Sequence, residues 1–342
     1  MEKKAKKKMP TDIKIFTVVC IIIAIIIIAA IVYIVKPTDV AIVGDNKITS
    51  EKFSYYFSRN VQNIMMQFGY TDANTFLNMT YGTSTMGDVI KQQTLTQAVQ
   101  IEVLLQEAKK EGFQPDKEKL DELWGDMEKN ITESASVYGR SVNDFCKEAF
   151  GTSFNKVKQF NYDLYKAQMY MEEKIKAITV DDTELASYYE ENKEAFDYSV
   201  VSHILIKCEE DAENSEVEAK EKIADDILDR VNAGEDFAAL AREFSEDPGS
   251  KDSGGTYRVW KNGQFVPEFE NWAFSHEVGE TGIIRTAHGF HVMKMDEIIN
   301  TLDAQKDDIK YAYQSQEFQK ILDEKLNSEE YKFEIKDGFY EF

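Results

Sequence analysis

Hydrophobic positions along this chain follow three successive patterns. Ile15 to Val35 is almost wholly apolar and isoleucine-rich, about the length of one bilayer crossing. From residue 36 to about 197, apolar residues recur at three- and four-residue spacing, the period of a helix face. Between Tyr198 and Glu297 a period of two appears at both ends, as in strands, and helical spacing then resumes to the C-terminus.

The helical part begins with a short strand, Val40 to Ile48, turning at Gly44-Asp45-Asn46. Thr49 or Ser50 is placed to cap a helix whose apolar face is Phe53, Phe57, Val61, Ile64 or Met65, and Phe68. Residues 69–87, rich in Gly, Thr, Asn, Met and Tyr, read as a loop. Helices are predicted over Asp88–Lys110, stopped by Gly112, then over Asp116–Lys129 and Val142–Ala177, and from Thr179 to about Phe196. Met65, Met66, Phe68, Tyr70, Phe76, Met79, Tyr81 and Met86 crowd this region. Such adaptable side chains suit binding of unfolded segments; for any one of them taken alone an ordinary core position is the simpler reading, and the binding reading rests on context. After residue 297, Leu302–Leu326 reads as a helix with Ile309, Tyr313, Phe318 and Ile321 as apolar points, and Tyr331–Ile335 as a closing strand.

The period-two stretch has an inner order of strand, helices, strand, helix, strand. In its first strand Val201, His203 and Leu205 share a face opposite Ile204 and Ile206; in its last, His291, Met293 and Met295 share a face opposite Phe290 and Val292. A lone histidine in such a row is usually a hydrogen-bonded core residue. Two of them, on the first and last strands, ask for a joint explanation. Between them, Glu216–Ala233 reads as an amphipathic helix carrying Ile223, Ile227 and Val231, with Ala224 and Leu228 beside them, and Gly234 as its stop. Asp236 is placed to cap a second helix with Phe237, Leu240, Ala241 and Phe244 on one face. The turn-rich loop Asp247 to Gly255 leads to a strand, Thr256–Trp260, and Pro267 suits the first turn of a helix from Glu268 to about Ser275.

On these residues the stretch resembles the parvulin family of peptidyl-prolyl cis-trans isomerases. The resemblance lies in Ser202-His203-Ile204-Leu205, Gly234-Glu235-Asp236-Phe237-Ala238, Phe244-Ser245, Gly254-Gly255, Gly263-Gln264, Pro267-Glu268-Phe269-Glu270, Ala273-Phe274, Gly279-Glu280 and Gly289-Phe290-His291, in the family's order and spacing. It implies an α+β fold: a small antiparallel sheet with surrounding helices over 198–297, inserted in a mainly helical chaperone-like domain made of 36–197 and completed by 298–342. That domain order, the Ile42-to-Phe57 word and the Tyr188–Phe196 lead-in resemble PrsA-type and SurA-type extracytoplasmic foldases.

The resemblance also implies roles. His203 and His291 match the family's paired histidines, with Thr286 holding one of them. Asp247 falls where parvulins carry Cys or Asp near the reacting carbonyl. Phe269 matches the floor of the proline pocket. Phe265 stands where many parvulins have Met and Tyr257 where many have Leu, departures that keep the wall apolar and enlarge it. His288 stands where small polar residues are common. Each has a structural alternative: Asp247 as a cap of the loop before Pro248, the histidine pair as support of the sheet, the phenylalanines as core. X-Pro isomerisation needs no nucleophile and no cofactor, only a site that favours the twisted amide.

Charge adds an orientation. Residues 1–36 carry seven lysines and two acids, so with −22 for the whole chain the remainder carries −27. The positive-inside rule puts a basic tail, 1–14, in the cytoplasm, a transmembrane helix at 15–35, and everything after Lys36 outside. The apolar run is longer than a signal-peptide core and no small-x-small site follows it, so an uncleaved anchor is expected; Cys20 lacks the small neighbours of a lipoprotein cysteine. The acidic exterior argues against a nucleic-acid partner; solubility alone accounts for it, and it would also attract basic unfolded chains. The loop Lys207-Cys208-Glu209-Glu210-Asp211 would repel a phosphoserine. No metal-ligand spacing is present, and three cysteines make no disulfide framework. The expected function is an anchored isomerase and chaperone for newly translocated, proline-containing chains; the alternative is a holdase with little isomerase activity.

Overall fold

The computed structural model describes residues 38–342. The expected basic tail 1–14, the transmembrane span 15–35 and Cys20 lie outside the described residues. Among the described residues no helix is long and apolar enough to cross a membrane. The chain divides into two compact units, the described part of Met1–Ile178 with Glu317–Phe342, and Thr179–Gln316.

In the first unit, β1 (Asp39–Val43) and β2 (Asn46–Thr49) form a hairpin. The Thr49 side chain accepts from the Lys52 amide and so starts the helix Ser50–Phe68. This helix buries Phe53, Phe57, Val61 and Met65, but Phe68, expected on the same face, is 66% exposed. Residues 69–87 are not a loop throughout. Asp72 accepts from Thr75 N and nucleates the short helix Ala73–Leu77, which Phe76 ties to the core, and a small hairpin joins β3 (Thr80–Tyr81) to β4 (Ser84–Thr85). A capping box between Thr85 and Asp88 opens the helix Met86–Lys110. The helix Lys117–Val137 follows, longer than predicted. The helical run predicted over 142–177 is two helices, Val142–Phe150 and Phe154–Ala177, because Gly151 closes the first in the left-handed region at φ 70°.

The far end of the chain belongs to this unit. Strand Phe333–Ile335 pairs antiparallel with β1, with Ala41 opposite Ile335. The buried Glu107 accepts from Tyr331 and pairs with Lys325 and Lys110, so one carboxylate holds three cross-links to its surroundings. Phe318 and Leu322 join a core with Tyr55, Val99, Phe145 and Phe160.

The second unit holds a four-stranded antiparallel sheet. Its strands are β5 (Tyr198–Lys207), β6 (Thr256–Trp260), β7 (Thr281–Thr286) and β8 (Gly289–Ile299), in the order β6-β5-β8-β7. Strand β7 was not predicted, because Gly282 followed by adjacent Ile283 and Ile284 breaks the alternation. Pairing sets His203 opposite Met293 and Leu205 opposite His291, so the two histidines are diagonal neighbours on one face. The other face, with Ile204, Ile206, Phe290 and Val292, packs on the helices Asn214–Asn232 and Phe237–Phe244. Of the first helix, Ala224 and Ile227 turn inward, whereas Ile223, predicted on that face, is 41% exposed. The histidine face packs on the helix Pro267–Ala273 through Phe269, Trp272 and Ala273.

The unit is wider than the stretch read as strands. Leu185 and Tyr189 of the helix Asp182–Glu191 form a core with Ile309 of the helix Lys306–Leu326. Cys146 and Cys208 are both buried free thiols, one in each unit.

Candidate active site

The histidine face owes its arrangement to the loop after the helix Phe237–Phe244. Ser245 Oγ accepts from the amides of Leu205 and Asp247, and the Glu246 amide donates to Leu205 O, which ties the loop to the end of β5. Asp247 Oδ1 then accepts from Gly249 N at 3.1 Å, an Asx turn that fixes the carboxylate. The loop closes where the His203 amide donates to Gly255 O at 2.8 Å, with Gly255 at φ +86°.

Hydrogen bonds then run in one direction across the sheet. Asp247 is an acceptor when ionised, so His203 Nε2 carries its proton and donates to Asp247 Oδ2 at 3.0 Å. His203 Nδ1 must accept, and His291 Nδ1 donates to it at 3.1 Å. His291 Nε2 therefore accepts from the Thr286 hydroxyl at 2.9 Å, whose oxygen accepts from His288 N at 3.1 Å. Asp247 Oδ2 also takes the Ser250 hydroxyl at 2.5 Å and the Tyr257 hydroxyl at 3.0 Å.

Both histidines are neutral in this chain. Burial pushes His203 below its ordinary value against the pull of Asp247. Burial, reinforced by the neighbouring His203 and His288, takes His291 down to about 3. Burial alone would raise Asp247, but the bonds from Ser250, Gly249, His203 and Tyr257 outweigh it and hold the carboxyl at about 2.

The histidine shifts set a pH dependence. A group whose pKa is lower in the folded state stabilises the fold fully above its unfolded value, and the contribution is lost as pH falls toward the folded one. For His291 that window runs from about 6.5 down to about 3. Urea unfolding of this unit should lose up to about 1.4 kcal/mol per pH unit per histidine proton below pH 6.5. His291→Gln should flatten the slope; an unchanged slope would mean that His291 does not supply it.

Beside the network lies a cavity of about 640 Å³, lined by His203, Leu205, Asp247, Pro248, Tyr257, Gln264, Phe265, Phe269, His288 and His291, among others. Phe269 and Phe265 stack at 5.1 Å between centroids. Phe269 meets His203 edge-on at 5.2 Å and His291 at 5.7 Å, and Tyr257 meets Phe265 edge-on at 5.3 Å. Seven of the eight residues singled out from the sequence line this cavity, and Thr286 reaches it through His291. Tyr257 is not the purely apolar wall expected of it, because its hydroxyl serves Asp247. Ser250 was missed altogether; a serine in a turn-rich loop gives no signal until the loop folds back on His203.

A model described as a PPIC-type PPIASE domain matches residues 186–298, and one described as a SurA-like N-terminal domain matches residues 3–129. The foldase protein PrsA of Caldanaerobacter subterraneus subsp. tengcongensis is 32% identical over 298 residues, covering 84% of this chain and 83% of that one. The foldase protein PrsA of Clostridium botulinum is 29% identical over 264 residues, covering 73% and 74%. The solved structure of foldase protein PrsA from Streptococcus pneumoniae aligns with 76% of this chain and 96% of its own, at 17% identity and a TM-score of 0.36.

Proposed function

The chain belongs to the PrsA foldase family and is a peptidyl-prolyl cis-trans isomerase, and we propose that it catalyses X-Pro isomerisation at the His203–Asp247–His291 cavity of an extracytoplasmic, membrane-anchored chaperone. The observation that carries the site is one cavity in which stacked aromatic rings adjoin an ionised carboxylate held by neutral histidines.

The barrier to rotation, about 20 kcal/mol, comes from amide resonance, which places negative charge on the carbonyl oxygen. Phe269 as floor with Phe265 and Tyr257 as walls would take the proline ring out of water into apolar surroundings, and there the charge-separated planar form is less favoured. The Asp247 carboxylate near the carbonyl raises the energy of that form further. The twisted amide carries less charge on oxygen and is raised less, so the barrier falls without a covalent step. His203, His291 and Thr286 hold Asp247 in place, and His288 stands at the cavity wall.

The remaining chain is read as the rest of such a foldase. Residues 15–35 anchor it, with 1–14 in the cytoplasm; the unit that ends at Ile178 and resumes at Glu317 is the chaperone-like part, and the unit Thr179–Gln316 carries the parvulin stretch 198–297. Clients are newly translocated, proline-containing chains. The exposed Met66, Phe68, Tyr70, Met79 and Tyr81 support chain binding in the first unit. They also favour the second reading, a holdase with little isomerase activity.

The deciding measurement is NMR exchange on several X-Pro peptides with the full chain in detergent. Acceleration that drops at least roughly tenfold in a folded His203→Ala variant is expected. No acceleration on any peptide, with aggregation of an unfolded client still suppressed, would leave the holdase.

A further inference from the structure

We propose that Tyr257 is a positioning residue of this isomerase site: its hydroxyl, donated to Asp247 Oδ2 at 3.0 Å, holds the carboxylate against His203 and fixes where its charge faces the X-Pro amide. The inference rests on the isomerase reading above. Three features of the local structure carry it.

The first is the geometry at the carboxylate. Oδ2 takes three donors, from His203, Ser250 and Tyr257, and Oδ1 takes the Gly249 amide. Ser250 and Gly249 lie on the same loop as Asp247 and move with it. His203 and Tyr257 lie on the sheet, on β5 and β6, so these two bonds fasten the loop carboxylate to a rigid surface. The second is the room made for the hydroxyl. A Cβ at Gly249 would stand 2.3 Å from the Tyr257 oxygen, yet 3.6 Å from the ring carbon that bears it. Gly249 is outside the left-handed region, so an alanine there strains no backbone; what it would displace is the hydroxyl. The third is the ring, which rests 5.4 Å from His203 and edge-on to Phe265, so the hydroxyl cannot swing away without disturbing the wall.

The titratable groups touching His203 are Asp247, Tyr257 and His291, and His288 acts on His291. With the Tyr257 donor removed, Oδ2 holds the His203 proton more strongly, and His203 gains a second proton at a higher pH than in the wild type.

The experiment uses the full chain in detergent micelles with 13C-labelled histidine, of which the chain has four. Tyr257→Phe keeps the ring and removes the hydroxyl. It should lower kcat roughly tenfold, the scale of one hydrogen bond to a charged group, with KM nearly unchanged. The His203 titration midpoint should rise. Gly249→Ala should act in the same direction, and in the Tyr257→Phe background it should add no further loss, since the oxygen it collides with is gone. An unchanged His203 titration in Tyr257→Phe overturns the proposal. So do a change in KM alone, and losses that simply add in the double variant. If the wild type itself isomerises no peptide, the functional reading fails, while the histidine titration still decides whether the hydroxyl holds Asp247.

Discussion

Phe269→Ala is expected to lower kcat/KM for X-Pro isomerisation by about 30- to 150-fold, from the loss of roughly 2–3 kcal/mol of apolar contact with the proline ring. The side chain is 3% exposed, and it joins the helix Pro267–Ala273 to the histidine face. Its truncation also removes the ring on which Phe265 stacks and which both histidines meet edge-on. The same change should cost the second unit about 3–5 kcal/mol of stability, so activity must be measured where circular dichroism shows the variant folded. Phe269→Leu separates the two effects. It retains apolar volume and should keep most of the stability, yet it loses the flat floor and should still lose activity. Full activity in folded Phe269→Ala would place the proline ring elsewhere and remove this cavity from the mechanism.

The reach of the sequence can be judged from the same residues. Alternation alone put His203 with Val201 and Leu205, and His291 with Met293 and Met295, on one face of each strand, and the register of β5 with β8 makes the histidines diagonal neighbours. Capping chemistry placed the starts of the helices after Thr49 and Asp236, because a side-chain oxygen three residues before an amide is a local matter. What escaped depends on the chain returning to itself. Ser250 meets His203, and the Tyr257 hydroxyl meets Asp247, only when the loop and β6 come back beside β5, and no spacing in the sequence records which atoms then meet. Strand β7 was hidden because it borrows its regularity from pairing with β8. The short helix Ala73–Leu77 was hidden because Phe76, rather than helix propensity, holds it in place. Phe68 continued the periodic face of its helix, but the turn at Gly69 ends that helix before Phe68 finds cover.

Gly254-Gly255 first counted as one word of a family pattern, and the fold gives its second residue a physical task. A Cβ on Gly255 would stand 2.3 Å from the His203 carbonyl oxygen, and the residue is in the left-handed region at φ +86°. That oxygen belongs to the backbone of β5, which is paired with β6 on one side and β8 on the other, so it has little freedom to yield. Gly255→Ala should therefore cost about 3–5 kcal/mol: roughly 1–2 for the left-handed alanine, and the rest for the overlap and the lost bond from the His203 amide. Gly234→Ala is the matched control. Gly234 is also left-handed, at φ +90°, but has nothing within 4 Å of the added carbon, so it should lose only the backbone share, about 1–2 kcal/mol. Urea unfolding of the two variants separates conformation from close approach. Equal losses would mean that β5 gives way easily at His203. A much larger loss in Gly255→Ala, with activity falling in whatever fraction remains folded, would tie the position of the histidine chain to this one contact between loop and strand.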